Sequence, residues 1–353
     1  KFLLRPAVGL DISDRSVKFV ELSNHQSGCS LKRYGEVDIP TGMIEQGEIK
    51  KPEELTKHLA VWRAKFKDDL REVFVALPEE VAYVARLSLP KVADHELRQT
   101  IELQLDQYIP LSPDNVVFDF EKINIIDKPG LQIVDILVTA FPLVEAKKYY
   151  DVLRGAGFNP LAFEIEAQSL ARVAMVEKSK ETVMIVEIGR TRTGVAIVSN
   201  GVMALTSTVM AIGGNFLTES IKKTLQVDLP EAEKIKVTRG LSRASDNIDV
   251  FNALLPALSS LKDELSKLIL FWNKKESENG YHNAPVERVI LCGGQVSLPG
   301  LTEYLSGQLH LPVIVLNPWA HSCFGKNQDI PKITLEQSLR YATAVGLALK
   351  NID

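Results

Sequence analysis

The chain has 353 residues, of which 45% are hydrophobic and 24% are charged, so it is long enough for two or more packed cores and too apolar to be disordered. Its net charge of -4 gives no electrostatic basis for nucleic-acid binding, because phosphate backbones are bound by clustered lysines and arginines. The sequence has neither a signal peptide pattern nor an apolar run of about 18 residues, so direct membrane insertion is not predicted.

The first predicted element is a β-hairpin. A short apolar strand, Val8 to Asp11, is separated by a polar turn from a second strand, Val17 to Leu22. The same pattern recurs at Val183 to Glu187 and Gly194 to Val198, and Asn200-Gly201 then gives a type I′ turn signal into a third strand. The chain therefore contains two similar hairpins, each with an acidic residue where its first strand ends.

A separate unit is predicted between the hairpins, after a buried strand at Val73 to Leu77. Asp94 is the predicted N-cap of a helix that ends at Pro110; two strands of alternating polarity and a helix from Leu143 to Gly155 follow. The side chains predicted to point inward are Leu97, Ile101, Leu105 and Tyr108 on the first helix and Ala146, Tyr150 and Leu153 on the second. Residues 81–160 thus form an inserted α+β module of roughly 80 residues.

The second half is predicted to be mainly helical. Gly213-Gly214 opens a helix, the segment Ala232 to Lys236 follows, and Thr334 with Gln337 forms a capping box for a closing helix. The apolar seam of the longest helix consists of Leu254, Leu258, Leu261, Leu265, Leu268 and Trp272. This seam is interpreted as core rather than as a coiled-coil dimer interface, because it barely reaches three heptads.

The cysteines are three, Cys29, Cys292 and Cys323, and they are widely spaced without a CxxC pair. Neither a disulfide framework nor a zinc site is predicted from this pattern. The cysteine pattern favours a reducing compartment. Because no membrane span is predicted, any membrane association would be provided by another protein.

Three turns rich in glycine or in hydroxyl residues are candidate ligand-binding sites. The turns Asp11 to Lys18 and Glu187 to Gly194 can face each other, so that backbone N–H groups and hydroxyls hold phosphate oxygens while strand-end carboxylates hold Mg²⁺. The third turn, Cys292-Gly293-Gly294, follows a buried strand, and its missing β-carbons leave room for a flat base or sugar. Each turn taken alone is equally typical of a structural turn.

The order of these motifs resembles that of the actin-like ATPases over almost the whole chain. Within that superfamily the sequence resembles the PilM family of type IV pilus assembly proteins, on the strings Gly9 to Leu22, Arg86 to Pro90, Tyr108 to Pro110, Gly155 to Ala167 and Ala344 to Leu349. The resemblance implies an α/β actin-like fold with two ribonuclease-H-like lobes. The implied first lobe is 1–80 with 334–353, the inserted subdomain is 81–160, the second lobe is 161–215 with 285–333, and a helical subdomain is 216–284.

The resemblance also implies site residues for ATP or ADP with Mg²⁺. The first phosphate turn contributes Asp11, Ser13, Arg15, Ser16 and Lys18, and the second contributes Glu187, Gly189 and Thr191, with Asp11 and Glu187 on the metal side. The ribose and base are assigned to Gly213, Gly214, Glu233 and Lys236, and the adenosine motif to Gly293 and Gly294. Glu166 matches the acid that orients attacking water in hydrolytic relatives, and a plain packing role is its alternative.

Two departures from the family pattern bear on catalysis. Ser13-Asp14 stands where a glycine followed by a small hydroxyl residue is usual, and Glu187 replaces the usual aspartate. The charge of Asp14 is expected to repel a polyphosphate by on the order of 1–4 kcal/mol unless Mg²⁺ or Lys18 offsets it. The expectation is therefore nucleotide binding with weak or no ATPase activity.

The function implied by the resemblance is a cytoplasmic scaffold that binds the amino-terminal cytoplasmic tail of a PilN-like bitopic membrane protein, in a groove between the first lobe and the inserted module. That partner would recruit it to the inner face of the membrane, and pilus motor ATPases and further copies of the chain are possible additional partners. The alternatives are an FtsA-like polymerising ATPase, whose carboxyl-terminal amphipathic helix is not found after the closing helix, and a sugar-kinase-like phosphotransferase, for which no catalytic-base aspartate is found.

Overall fold

The fold is known from a computed structural model, which describes residues 8–25, 28–66, 70–128, 131–175, 179–210, 212–242, 247–274, 283–324, 333–350 and 352. The sequence predicts no amphipathic helix after the closing helix; of the residues concerned, Asn351 and Asp353 lie outside the described residues. Among the described residues, no helix combines the length and the apolar character needed to cross a lipid bilayer.

The first part of the chain forms four strands of a five-stranded sheet, together with a short two-stranded ribbon. Its elements are β1 (Val8–Ile12), β2 (Ser16–His25), β3 (Gly28–Asp38), the ribbon β4 (Ile44–Glu45) and β5 (Glu48–Ile49), α1 (Pro52–Ala64) and β6 (Glu72–Leu77). Strands β1 and β2 pair antiparallel with Asp11 opposite Lys18, whereas β1 and β6 run parallel. The first predicted hairpin is therefore confirmed.

A three-stranded antiparallel sheet and its helices follow. The elements are β7 (Tyr83–Pro90), α2 (Asp94–Glu102), α3 (Leu105–Tyr108), β8 (Val116–Lys128), β9 (Leu131–Pro142), α4 (Leu143–Gly155), β10 (Asn159–Ile165) and α5 (Glu166–Ala174). The sheet has the order β7-β9-β8, and with α2 and α3 it buries its own apolar cluster around Leu97 and Ile136. The predicted module thus has a core of its own.

Three details of the predicted module are wrong. Asp94 is the first residue of α2 rather than its N-cap, which is Ala93, and the Asp94 carboxylate pairs with Lys122 at 2.6 Å. The first helix is divided into α2 and α3, and the Tyr108 side chain is exposed. On α4 the buried tyrosine is Tyr149, while Tyr150 is 44% exposed.

The last helix of the predicted module packs elsewhere than expected. Tyr149, Val152 and Leu153 of α4 belong to the main core, together with Leu55 and Leu59 of α1. Strand β10 then pairs parallel with β6 as far as Ile165, so the first sheet has the order β10-β6-β1-β2-β3. The predicted second lobe begins at residue 161, which lies inside this strand.

The second half repeats the arrangement of the first sheet. Its elements are β11 (Thr182–Ile188), β12 (Thr193–Ser199), β13 (Val202–Val209), α6 (Gly214–Leu225), α7 (Leu229–Thr238), α8 (Ile248–Lys274), β14 (Arg288–Cys292), α9 (Leu301–Leu309), β15 (Val313–Val315), α10 (Leu335–Leu339) and α11 (Ala342–Leu349). The sheet order is β13-β12-β11-β14-β15, with β11 and β12 antiparallel and β11 and β14 parallel. Glu187 lies opposite Gly194, as Asp11 lies opposite Lys18 in the first sheet.

The helical predictions for this half are mostly confirmed. The seam residues Leu254, Leu258, Leu261 and Leu265 of α8 are fully buried within the chain, which is the core interpretation. Thr334 caps α10 by accepting a hydrogen bond from the Gln337 backbone N–H, although the closing helix is divided into α10 and α11. Helix α11 is buried along its whole length.

The expectation that the cysteines form no disulfide is wrong. Cys29 of β3 is bonded to Cys323, with the two Cα atoms 5.3 Å apart, although 294 positions separate them in the sequence. The two residues meet because the segment after β15 returns to the edge strand of the first sheet. Cys292 is a free, buried thiol.

Candidate functional site

Two hairpin turns line opposite sides of a cleft. The β1–β2 turn is closed by the Ser13 backbone N–H donating to the carbonyl of Ser16 at 3.0 Å, and the β11–β12 turn by Gly189 donating to Arg192 at 2.9 Å. The cleft has about 720 Å³ of empty volume, part of it open to solvent. Because this volume includes open solvent, it overstates the enclosed space, which is about 90 Å³.

Most of the predicted site residues line this cleft. They are Asp11, Ser13, Arg15, Ser16, Lys18, Glu166, Glu187, Gly189, Thr191, Gly293 and Gly294. The other lining residues are Asp14, which the sequence places near the phosphates, and Glu36, Arg190, Arg192, Gln295 and Arg340, which the sequence does not predict as site residues. The predicted Gly213, Gly214, Glu233 and Lys236 are not among the residues that line the cleft, and Glu233 is exposed.

Carboxylates from both lobes converge in the cleft. Asp11, only 5% exposed at the end of β1, is paired with the Lys18 ammonium at 3.4 Å. Burial, together with the nearby charge of Asp11, raises the pKa of Glu187 to about 7. Burial also raises the pKa of Glu166 well above its ordinary value, although the charge of Arg192 opposes this. A bound cation would favour the ionised forms of these groups.

Arg192 is the main residue that sequence reasoning missed. Its guanidinium, whose side chain is 12% exposed, donates to Glu166 Oε2 at 2.6 Å and is also paired with Glu80. Glu166, the predicted water-orienting acid, is therefore held in a buried ion pair. The sequence has two arginines in this turn, and nothing in its pattern indicates which of them points inward.

Asp14 does not behave as expected from the sequence. Its carboxylate accepts hydrogen bonds from the backbone N–H groups of Gln46 at 2.9 Å and Gly47 at 3.0 Å. These residues form the β4–β5 turn, with φ of 52° and 75°. The charge of Asp14 is thus partly balanced by two backbone dipoles, which reduces the expected repulsion of a polyphosphate.

The predicted ribose and base residues form a network at the start of α6. The Lys236 ammonium donates to the Gly214 carbonyl at 3.2 Å and, at 2.8 Å each, to Thr218 Oγ1, Glu233 Oε2 and Gln295 Oε1. Lys236 is 4% exposed. It therefore binds neighbouring residues and not the interior of the cleft.

The predicted adenosine motif lies between the two lobes. Gly293 has a φ of +92° and a β-carbon there would lie 2.6 Å from the Ile188 carbonyl oxygen, so only glycine fits. Next to it, Gly294 lies against the side chain of Arg340. Arg340 Nη2 in turn donates to both carboxylate oxygens of Glu36 of β3, at 2.6 and 2.8 Å.

A metal site would have to be completed by a ligand. Within the ranges that the structure describes, no group of three or more His, Cys, Asp or Glu side chains is arranged to hold an ion. Asp11 and Glu187 are two carboxylates at equivalent strand ends, and Mg²⁺ commonly uses one or two carboxylates together with phosphate oxygens and water. The donors fit Mg²⁺ that is bound together with a polyphosphate.

Comparison with known proteins gives one family and a set of similar structures. The model of the family described as type IV pilus assembly protein PilM matches residues 9–352. A solved PilM-PilN type IV pilus biogenesis complex is similar over 99% of both chains, with a TM-score of 0.78 and 24% identity. MreB 5 of Spiroplasma citri bound to AMPPNP is similar over 97% of this chain and 94% of that chain, with a TM-score of 0.57 and 15% identity.

The chain is also similar to part of a curated protein. Cell division protein FtsA of Neisseria meningitidis serogroup B is 26% identical over 205 residues, which is 52% of this chain and 47% of that protein. The chain thus spans about half the length of the curated relative it matches.

Proposed function

Since the chain belongs to the PilM family of type IV pilus assembly proteins, we propose that it is a cytoplasmic scaffold of the inner-membrane pilus assembly complex. It binds Mg-ATP or Mg-ADP between its lobes and the amino-terminal tail of a PilN-like membrane protein. The predicted actin-like fold is confirmed by the similarity to solved PilM and MreB structures. The match of the family model over residues 9–352 is the observation that carries the proposal.

The nucleotide part of the proposal rests on the lining of the cleft. Two backbone turns and the cations Arg15, Lys18 and Arg190 line the cleft and suit phosphate oxygens. Asp11 and Glu187 would hold Mg²⁺, whose charge would neutralise the phosphates when it is bound. The ribose and base are assigned to the part of the cleft lined by Gly293 and Gly294, whose missing β-carbons allow close packing against Ile188 and Arg340.

We expect ATP to be held rather than turned over. Glu166 is the predicted acid for orienting water, and its carboxylate is already engaged by Arg192 at 2.6 Å. A general base must be within reach of the attacking water and free to accept its proton. The ion pair removes one oxygen of Glu166 from that role and favours a structural use of the nucleotide.

The partner part of the proposal rests on a groove between α1 and α4, which belong to the first lobe and to the predicted module. The groove is lined by Pro52, Glu53, Thr56, Lys57, Lys148, Asp151 and Val152. It lies between the first lobe and the last helix of residues 81–160, although α4 packs in the main core. Capture of an extended peptide in such a groove is a common recognition mode. The partner would bring the protein to the membrane; motor ATPases and further copies of the chain are additional proposed contacts.

The partner binding is tested by isothermal titration with a synthetic peptide of the tail of the co-encoded membrane protein. We expect a Kd in the micromolar range, about -8 kcal/mol, for the wild-type protein. The double variant Lys57→Glu, Lys148→Glu reverses one charge on each wall of the groove and should weaken binding at least tenfold. The control Lys222→Glu, Lys223→Glu lies on α6 and should bind as the wild type does.

The result can also contradict the proposal. Equal binding by both double variants would remove the partner site from this groove. Absence of binding by the wild-type protein would favour the FtsA-like alternative, to which the partial similarity to the cell division protein points.

A further inference from the structure

The environment of Lys236 fixes the orientation of one side chain in the cleft. The ammonium group has three protons and four acceptors within hydrogen-bond distance, of which Gln295 Oε1 is one at 2.8 Å. Because an ammonium group can only donate, the amide of Gln295 must present its oxygen to Lys236. The two N–H donors of the amide then point away from Lys236.

Gln295 itself lies at the surface of the cleft, whereas Lys236 does not. Its backbone N–H donates to the Ile188 carbonyl, which fixes it at the end of β11. Its side chain rests on Gly214, where a β-carbon would lie 2.3 Å from the Gln295 amide group. Glycine at 214 therefore leaves room for this position of the glutamine side chain.

We propose that Gln295 is a specificity-determining residue, whose amide N–H donates to a ring nitrogen of the bound purine, and that Lys236 is the positioning residue that orients it. This inference rests on the proposed nucleotide binding. A neutral donor between Gly214 and Gly294 suits a neutral ring nitrogen, whereas the cations Arg15, Lys18 and Arg190 suit phosphate.

The hydrogen bonds of Lys236 explain why contact with the base is assigned to Gln295 rather than to Lys236. The ammonium is 4% exposed, and its protons are used within the protein. Glu233 Oε2 accepts from both Lys236 and Thr218 Oγ1, so this carboxylate oxygen is part of the same hydrogen-bonded support. A donor held by such a support loses little rotamer entropy when a ligand binds, which favours discrimination between bases.

The test is a titration of wild-type protein and Gln295→Leu with Mg²⁺ complexes of ATP, 1-deaza-ATP, 3-deaza-ATP, 7-deaza-ATP and 2′-deoxy-ATP. One deaza analogue should bind the wild type about two- to tenfold more weakly than ATP, the range of one hydrogen bond. Gln295→Leu should bind ATP more weakly by a similar factor and no longer distinguish that analogue. Gln308→Leu, on the exposed face of α9, is the matched control and should retain the wild-type pattern.

Lys236→Met provides a second measurement. It leaves Gln295 in place but removes the donor that fixes its orientation, so discrimination between ATP and the deaza analogue should fall while ATP binding remains measurable. Retained discrimination in Gln295→Leu, or a loss that appears only with 2′-deoxy-ATP, would overturn the inference. Failure of the wild-type protein to bind any of the nucleotides would instead contradict the proposed function.

Discussion

In the second hairpin turn, the Arg192 guanidinium lies among carboxylates from three parts of the chain. It pairs with Glu80 and with Glu166, and its charge also acts on Glu187. Buried carboxylates that share one cation are costly to ionise together, because each has lost hydration and repels the others. The polar centre of the cleft is therefore suited to an additional cation such as Mg²⁺.

The raised pKa of Glu187 predicts a pH dependence of stability without ligand. The folded pKa is about 7 and the ordinary value is 4.5, so between these values the native state keeps a proton that the unfolded chain releases. Its stabilising contribution is complete below pH 4.5 and is lost as the pH rises through 7, and the change is on the order of 1–3 kcal/mol. Urea unfolding of Glu187→Gln at several pH values should show a shallower decline than the wild type, and an identical decline would contradict the assignment.

Much of the cleft could be predicted because strand alternation and turn residues are local signals. The two hairpin patterns by themselves predict Asp11 and Glu187 at equivalent strand ends, where both residues lie. The inward direction of Arg192 and the proximity of Gln295 to Lys236 depend on packing between distant segments, which no local pattern contains. The sequence predicts Tyr150 as the buried tyrosine of α4, but Tyr149 is the buried one. Adjacent identical side chains differ only by one position in helical phase, which the local pattern does not resolve.

At the scale of elements, helix α11 is held between β1 and α5 by close backbone contacts. A β-carbon at Gly9 would lie 2.0 Å from the Ala344 carbonyl oxygen, and one at Gly346 would lie 2.0 Å from that of Ser169. Arg172 of α5 also donates to the Gly346 carbonyl at 2.7 Å. The closing helix thus joins the first sheet to the helix that begins at Glu166.

Gly346→Ala should destabilise the protein strongly. The added methyl group meets backbone that cannot move without separating α11 from α5, and overpacking of this kind costs about 3 kcal/mol. The matched control is Gly307→Ala on α9, where a β-carbon has nothing within 4 Å and helix propensity predicts a gain of about 0.5–1 kcal/mol. Thermal unfolding measures both; equal melting temperatures would contradict the close packing.

Asp14→Ala tests the link between the first phosphate turn and the β4–β5 turn. Removing the carboxylate leaves the N–H groups of Gln46 and Gly47 without their acceptor, and hydrogen bonds to a charged group contribute about 1.5–3 kcal/mol. We expect a loss of this order in urea unfolding. A variant more stable than the wild type would show that the charge of Asp14 is mainly repulsive, as the sequence alone suggests.

At the scale of the whole molecule, the Cys29–Cys323 bond joins β3 to the segment that connects the second sheet to α10 and α11. After α10, Arg340 is held by its ion pair with Glu36 of the same strand. Two links therefore attach residues on either side of α10 to β3. Glu36 and Arg340 also line the cleft, so the attachment supports the wall of the site.

Reduction of the disulfide should lower stability by about 2–5 kcal/mol, because the bond restricts the unfolded chain by closing a very long loop. Cys29→Ser should melt at the temperature of the reduced wild type, and reductant should not lower it further. In the oxidised, denatured protein we expect one free thiol, that of Cys292. Three free thiols, or a melting temperature insensitive to reductant, would contradict the bond.

The central claim is that the cleft holds an intact nucleotide for a structural purpose. Its most direct test is to mix the nucleotide-free protein with Mg²⁺ and γ-labelled ATP, separate free ligand by gel filtration, and quantify labelled ATP and phosphate over time. The account predicts about one equivalent of retained, intact ATP and turnover far below the ordinary enzyme rate of about 1 per second. Release of labelled phosphate at that rate or faster, or no retained label, would contradict it.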